Sequence, residues 1–442
     1  MNSHWTELEL GDFIELKRGY DLPKSKRVPG KFEIISSAGV TDYHNESKVK
    51  GPSVITGRYG TIGEVFYTED DYWPLNTTLY VKDFKGNDPL FVYYLLHTIN
   101  YLEYSDKAAV PGVNRNHLHK AVIKVPSDVA SQKSIAQYLK LLDRKIALNC
   151  RLNESLEQIA QAIFKSWFVD FEPTKAKIAA RKALLAENPD ATPEQISTAE
   201  QQAAIQVIAG AGDVIPTEQL QIIADLFPNQ QVDSELGEIP YGWSYCGAQE
   251  LFNISIGKTP PRKESHWFSN NPTDIKWISI KDLGNSGTYV KTCSEYLTEE
   301  AVTKHKVKKA EKDTVLLSFK LTVGRVAIAA HDMCTNEAIA HFNVSDLSPP
   351  STWTYSYLKQ YDYESLGSTS SIATAINSKI IKGMPFLKSA NELNSHWSEV
   401  TKPLFDALYN NTMMVDTLEK LRNELLPKLL SGDLAYEDNG VV

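Results

Sequence analysis

At 442 residues, with 42% hydrophobic and 23% charged side chains, the chain is a globular sequence long enough for two or three domains, neither disordered nor fibrous. Its apolar runs, such as Phe91–Leu96, fall far short of the roughly 18 residues of a membrane span, and its four scattered cysteines (Cys150, Cys246, Cys293, Cys334) offer neither a zinc site nor a disulfide framework. A net charge of −9 argues against a uniformly basic nucleic-acid binder, yet phosphates feel charges only within about 10 Å at ordinary salt, so local patches decide the question.

The opening segment carries neither a basic region nor an apolar run, so no export signal is read there and a cytoplasmic location is expected. Residues 1–132 read as a first α/β domain. It opens with Trp5 and, fourteen residues on, Gly19. Lys17, Arg18, Gly19 and Tyr20, with Lys24 and Arg27, make a first basic loop, interrupted only by Asp21. Ser53-Val54-Ile55 leads to Thr61-Ile62-Gly63, and Arg58-Tyr59-Gly60 between them makes a second loop. Val110 to Asn116 makes a third, with Asn114, Arg115 and Asn116 as its polar side chains. Glycine allows close backbone approach, and Arg, Lys, Asn or hydroxyl groups meet phosphates or base edges. Taken singly, each of these segments also reads as an ordinary turn. His117 and His119 form a close pair without a third ligand, so no metal site is expected.

Residues 133–172 read as a long helix. From Ile135 to Phe171 there is no Pro or Gly, and alternating steps of four and three select Ile135, Leu139, Leu142, Ile146, Asn149, Asn153, Leu156, Ala160, Ile163 and Trp167. That is a heptad seam with a polar break in its middle. Residues 173–236 are rich in Ala and Gln and broken by Pro189, Pro193, Gly210, Gly212 and Pro216, the pattern of a helical linker with no site of its own.

A second α/β domain, residues 237–394, repeats the first. Trp243 and Gly257 reproduce the opening at an offset of 238. Thr314-Val315-Leu316 and Thr322-Val323-Gly324 reproduce the second anchor at 261, so the second copy carries an insertion between the two. Ile376-Asn377 matches Val113-Asn114 at 263, and Leu418-Glu419 matches Leu156-Glu157 at 262. The matched candidate loops are Gly257 to Lys263 (Lys258, Thr259, Arg262, Lys263), then Lys320-Leu321 with Arg325, then Thr369, Ser370, Ser371 and Asn377. Asn76 and Asn336 align only loosely and read as turn caps. Residues 395–432 form the second long helix, with the seam Leu404, Leu408, Asn411, Val415, Leu418, Arg422, Leu425 and Leu429, and residues 433–442 are a tail. Pro427 is expected to tighten or bend that helix. Each apolar stripe needs a partner, and the nearest is the other helix. Surplus apolar positions (Leu148, Leu152, Ile159; Leu421, Leu426, Leu430) call for further cover. The fold class is therefore α+β: two similar globular α/β domains joined by two long helices that pair with each other.

Catalytic signatures are missing. Gly257-Lys258-Thr259 has Phe252 where a phosphate-binding loop needs its first Gly, and Gly60-Thr61-Ile62-Gly63 lacks dinucleotide spacing. No Asn-Pro-Pro-aromatic signature of amino-methyltransferases and no nucleophile elbow occur. Two other readings stay open: a stand-alone DNA-modifying enzyme, and a coiled-coil scaffold without a DNA role.

The openings, the string Ile163-Phe164-Lys165-Ser166-Trp167-Phe168-Val169-Asp170-Phe171-Glu172-Pro173, the re-entry from Asp233 to Trp243, and the ending from Leu425 to Gly432 together resemble specificity subunits of type I restriction-modification enzymes. The resemblance covers nearly the whole chain. It implies a non-catalytic subunit with two target-recognition domains, each reading half of a bipartite DNA site, and two long helices in an antiparallel coiled coil that sets the gap. It also implies docking of two adenine-N6 methyltransferase subunits and, in the full nuclease, two restriction subunits. S-adenosylmethionine, ATP and magnesium would belong to those partners, with no cofactor on this chain.

Overall fold

The computed structural model of the chain describes residues 5–105, 112–210, 215–366, 376–432 and 434. It divides into two compact units, Met1–Leu148 with Met414–Val442, and Asn149–Met413. Each long helix contributes one part of its length to each unit.

In the first unit a four-stranded antiparallel sheet runs in the order 15–18, 78–83, 53–57, 65–68. A three-stranded sheet runs 39–44, 32–36, 72–74, its last pair parallel. Strand Ser53–Gly57 is buried along its whole length, as a central strand covered on both faces must be. Helix Pro89–Leu96, started by Asp88 accepting from the Phe91 N–H at 2.9 Å, puts Phe91, Val92 and Leu95 into the same core as Leu16, Val54 and Leu79.

The second unit repeats this plan. Strands run 253–256, 339–343, 315–318, 326–329, 289–290 in one sheet and 268–269, 295–297, 275–278, 333–335, 309–310 in the other. The registers match as well as the order: Ile55 faces Tyr80, and Leu316, 261 positions on, faces His341, 261 positions on. In the parallel pairs, Ile35 lies beside Pro74 and Ile278 beside Thr335. The offset is thus 238 at Gly19 and Gly257, 243 at Ile35 and Ile278, and 261 at Pro74 and Thr335. Most of the extra residues of the second copy therefore lie after strand Ile275–Ile278, where helices Ile280–Gly284 and Glu299–His305 are added.

The first long helix spans Val129–Phe168 and the second Asn391–Ser431. The first begins earlier than its apolar periodicity indicates, because Asp128 accepts from the Ser131 N–H at 2.7 Å and starts the first turn. It also stops short of Phe171, which takes a left-handed φ of 54° and turns its ring onto Trp243 at 5.6 Å. The second is helical through both Pro403 and Pro427 and ends where Gly432 adopts φ 77°. Burial of Leu429 and Leu430 just beyond Pro427 outweighs the lost backbone hydrogen bond.

Within each unit the helices pair in opposite senses. In the first, Arg422 bonds Asp143 at 2.8 Å, and farther along Ile135 and Leu139 share a core with Leu429 and Leu430. In the second, Asn153 Nδ2 donates to Thr412 Oγ1 at 3.2 Å, and farther along Phe164 meets Trp397 edge-on at 5.4 Å. The heptad positions form the protected side: Ile163 and Leu408 are buried, and Leu142, Ile146, Leu156, Leu404, Asn411, Leu418 and Leu425 are half-buried. Asn149, at the polar break, is 1% exposed, and its Nδ2 is unpartnered among the described residues. Leu148, Leu152, Ile159 and Leu421 stay exposed, whereas Leu426 and Leu430 are covered inside the first unit.

The opening tryptophans sit against the ends of the opposite copy's helix. Trp5 packs on Gly432, after the second helix; Trp243 stacks on Phe168, at the end of the first, with centroids 5.8 Å apart. The Ala- and Gln-rich stretch folds into helices Glu172–Glu187, Pro193–Ala209 and Thr217–Leu226, broken where Pro and Gly predict. It is more than a tether: Ala204, Ile208, Ile223 and Phe227 join the core of the second unit, and buried Lys177 donates to the Phe227 carbonyl at 2.6 Å.

Candidate nucleic-acid interface

In each unit one short segment gathers the loops that the sequence singles out. In the first it is Leu75–Thr78, the link between the strand ending at Pro74 and the strand starting at Thr78. The Gly19 N–H donates to the Thr78 carbonyl at 3.0 Å, the Tyr20 N–H to Pro74 at 2.8 Å, and the Arg58 N–H to Thr77 at 2.9 Å. In the second unit Gly257 donates to Ile339 at 3.0 Å, Lys258 to Thr335 at 2.9 Å, and Phe319 to Ala338 at 2.9 Å. These are the same three bonds: the linking segment is displaced by 261 throughout, the donors Gly19 and Tyr20 by 238, and the donor Arg58 by 261.

Glycine is required here by space. A Cβ on Gly19 would lie 2.1 Å from the Leu75 carbonyl oxygen, and one on Gly257 2.0 Å from Thr335 Oγ1. The third loop closes on the second in the first unit, where the Val113 N–H donates to the Arg58 carbonyl at 2.9 Å and Tyr59 bridges Gly112. All three candidate loops of that unit thus meet at one end of its sheets.

Many of the candidate side chains are exposed, and several of these also have partners within the chain. Arg18, Lys24, Tyr59, Arg115, Asn116, Lys263 and Lys320 are exposed. Arg18 lies 3.4 Å from Asp21, and Arg58 stacks over Tyr59 at 4.5 Å. Lys17 sits 3.4 Å from the Tyr20 hydroxyl, which shares a 3.0 Å bond with Tyr80. Arg27 pairs with Asp42 at 3.2 Å. In the second unit exposed Lys258 donates to the His305 carbonyl at 2.7 Å, and Thr259 bonds Glu337. Arg262 binds both oxygens of Glu295 at 2.7 and 2.8 Å while lying over Phe268 and Trp277, and Arg325 donates to the Ile280 carbonyl at 2.7 Å. Asn114 and Asn377 match as the repeat requires, but both oxygens cap short helices, accepting from Asn116 and from Lys379 and Ile380. Thr369, Ser370 and Ser371 lie outside the described residues.

The loop Arg58–Gly60 corresponds to Phe319–Leu321, so Lys320 stands where the first copy has Tyr59, and Arg58 is replaced by buried Phe319. Leu321 occupies the place of Gly60: both have left-handed backbones, φ 62° and 77°, and Leu321 is 97% exposed. Beneath the second cradle, buried His341 lies 2.7 Å from Thr335 Oγ1 and 3.1 Å from Ser255 Oγ, and burial pushes its imidazole down to about 4. His119 is structural, accepting from the Leu16 N–H at 2.9 Å, and no group of residues suited to hold a metal occurs among the described residues. No described helix is long and apolar enough to cross a membrane.

Two loop-bearing modules of one design, each completed by both long helices, have relatives of known kind. The description "Type I restriction modification DNA specificity domain" fits residues 2–158 and again 240–386. The chain belongs to that family. It is 24% identical to the type I restriction enzyme HindI specificity subunit of Haemophilus influenzae, covering 98% of this chain and all of the relative. It is 25% identical to the MjaIX specificity subunit of Methanocaldococcus jannaschii, over 88% of this chain and 79% of that one. The type I S subunit from M. genitalium shares the fold with a TM-score of 0.52 at 15% identity, covering 97% and 96% of the two chains.

Proposed function

We propose that the chain is the DNA-reading subunit of a type I restriction-modification complex, each domain reading one half of a bipartite site. The observation that carries this is the cradle found twice, with the same three backbone bonds holding loops of different side-chain content. A common scaffold with variable tips is what two readers of different base sequences need. The exposed cations at those tips (Arg18, Lys24, Lys263, Lys320) supply phosphate contacts despite the acidic total.

The long helices set the spacer between the half-sites. Forty residues make a rod of about 60 Å, longer than the roughly 34 Å of one duplex turn. Exposed Leu148, Leu152, Ile159 and Leu421 provide apolar cover for two methyltransferase subunits, with two restriction subunits joining in the nuclease. Chemistry, and with it S-adenosylmethionine, ATP and magnesium, belongs to those partners.

The test is salt-dependent DNA binding by the assembled complex, together with methyl transfer assayed with and without partner subunits. Arg18→Ala and Lys24→Ala are expected to lower the slope of log affinity against log salt by about one each. Methyl transfer by the chain alone, or indifference of binding to both substitutions, overturns the reading.

A further inference from the structure

At the tip of each cradle stands one side-chain pair that repeats in position but not in chemistry. In the first unit Asn76 Nδ2 donates to Asp21 Oδ1. In the second Thr259 Oγ1 donates to Glu337 Oε2. The offsets of the surrounding backbone bonds, 238 for the basic loop and 261 for the linking segment, make Asp21 the counterpart of Thr259 and Asn76 the counterpart of Glu337. The contact is thus preserved while donor and acceptor change sides. A contact needed only to hold two loops together has no reason to be rebuilt with reversed polarity, because the backbone bonds beside it already do so.

We infer that the Asp21–Asn76 and Thr259–Glu337 pairs are base-reading positions of the two modules, each selecting a base that presents an amino group. This rests on the DNA-reading function proposed above. Each pair holds a carboxylate among cations that favour phosphate: Arg18 beside Asp21, Lys258 next to Thr259. A carboxylate repels phosphate and the acceptor edges of guanine and thymine, but accepts from the amino groups of cytosine and adenine. Glu337 is exposed and keeps its second oxygen clear of the bond to Thr259. In the first unit the Asn76 amide retains its oxygen and one N–H, the combination that matches adenine.

The experiment maps methylated sites produced by the full complex carrying wild-type chain, Glu337→Gln, Thr259→Val or Asp21→Asn. Glu337→Gln keeps an acceptor for Thr259, so folding is preserved while charge is lost. It is expected to relax or shift one base pair in one half-site, with discrimination there falling roughly tenfold or more. Thr259→Val, which frees the carboxylate, loosens the same base pair, and Asp21→Asn affects one in the other half. A bipartite wild-type motif that survives all three substitutions unchanged overturns the assignment, as does a change in both halves from one substitution. A wild-type complex that methylates no two-part site removes the DNA-reading function and this inference together, an outcome separate from the others.

Discussion

Tyr355 donates its phenolic proton to Glu157 at 2.6 Å, fastening helix Ser351–Gln360 to the first long helix. The same carboxylate accepts from Thr288 at 3.1 Å and pairs with Lys359 at 3.1 Å. Burial and the neighbouring charge together hold the phenol protonated far beyond its usual range. Tyr94, the counterpart 261 positions earlier, also bonds an acid of the first long helix, Asp143 at 2.7 Å, where Arg422 neutralises the carboxylate. Tyr355→Phe is therefore expected to destabilise the chain by about 2 kcal/mol, read as a lower urea midpoint, because a buried bond to a charged group is lost. An unchanged midpoint would show the bond to be replaceable.

Gly19→Ala and Gly257→Ala each drive a methyl group into backbone or side-chain oxygen at about 2 Å. Each is expected to cost on the order of 3 kcal/mol and to impair recognition in one half-site alone. Mapping modified bases alongside thermal unfolding checks both parts.

Leu321 spends strain on a left-handed backbone and exposes an apolar side chain to water. Leu321→Gly is expected to raise stability by about 0.5 kcal/mol while weakening DNA binding by the complex, since the loop tip loses an apolar contact of the kind that meets a thymine methyl. Melting temperature and affinity should move in opposite directions.

His341 links the second cradle to pH. Its folded imidazole remains neutral down to about pH 4, whereas the unfolded chain protonates near 6.5. Across that window the unfolded state takes up a proton that the folded state does not. Stability is therefore full above pH 6.5 and falls by about 3 kcal/mol as the pH drops to 4. His341→Gln should flatten the profile of melting temperature against pH over that interval.

The duplication was legible because Gly19 and Gly257 answer to close approach of the chain, and Trp5 and Trp243 to packing on a helix end, both of which tolerate few residue types; the helix seam was legible because burial repeats every seven residues. What stayed hidden depended on partners distant in sequence. A lysine-rich stretch does not reveal that Arg262 turns onto Glu295, or that Arg325 reaches Ile280. The linking segments escaped notice for a different reason: at the true offset Asn76 meets Glu337, two unlike letters, while the like pair Asn76 and Asn336 is one residue out of step. Asn336 does behave as a turn cap, accepting from the Ala338 N–H at 3.1 Å. The helix start at Val129 was set by a single Asp128 cap that apolar periodicity does not register.

The packing of Trp5 beside Gly432, and of Leu10 in one core with Leu429 and Leu430, has a consequence for biosynthesis. The module that holds Trp5 and Leu10 leaves the ribosome well before the second long helix, yet lacks part of its interior until that helix has been translated. At roughly 5–20 residues per second, that leaves its apolar surface uncovered for on the order of half a minute, a standing demand for chaperones.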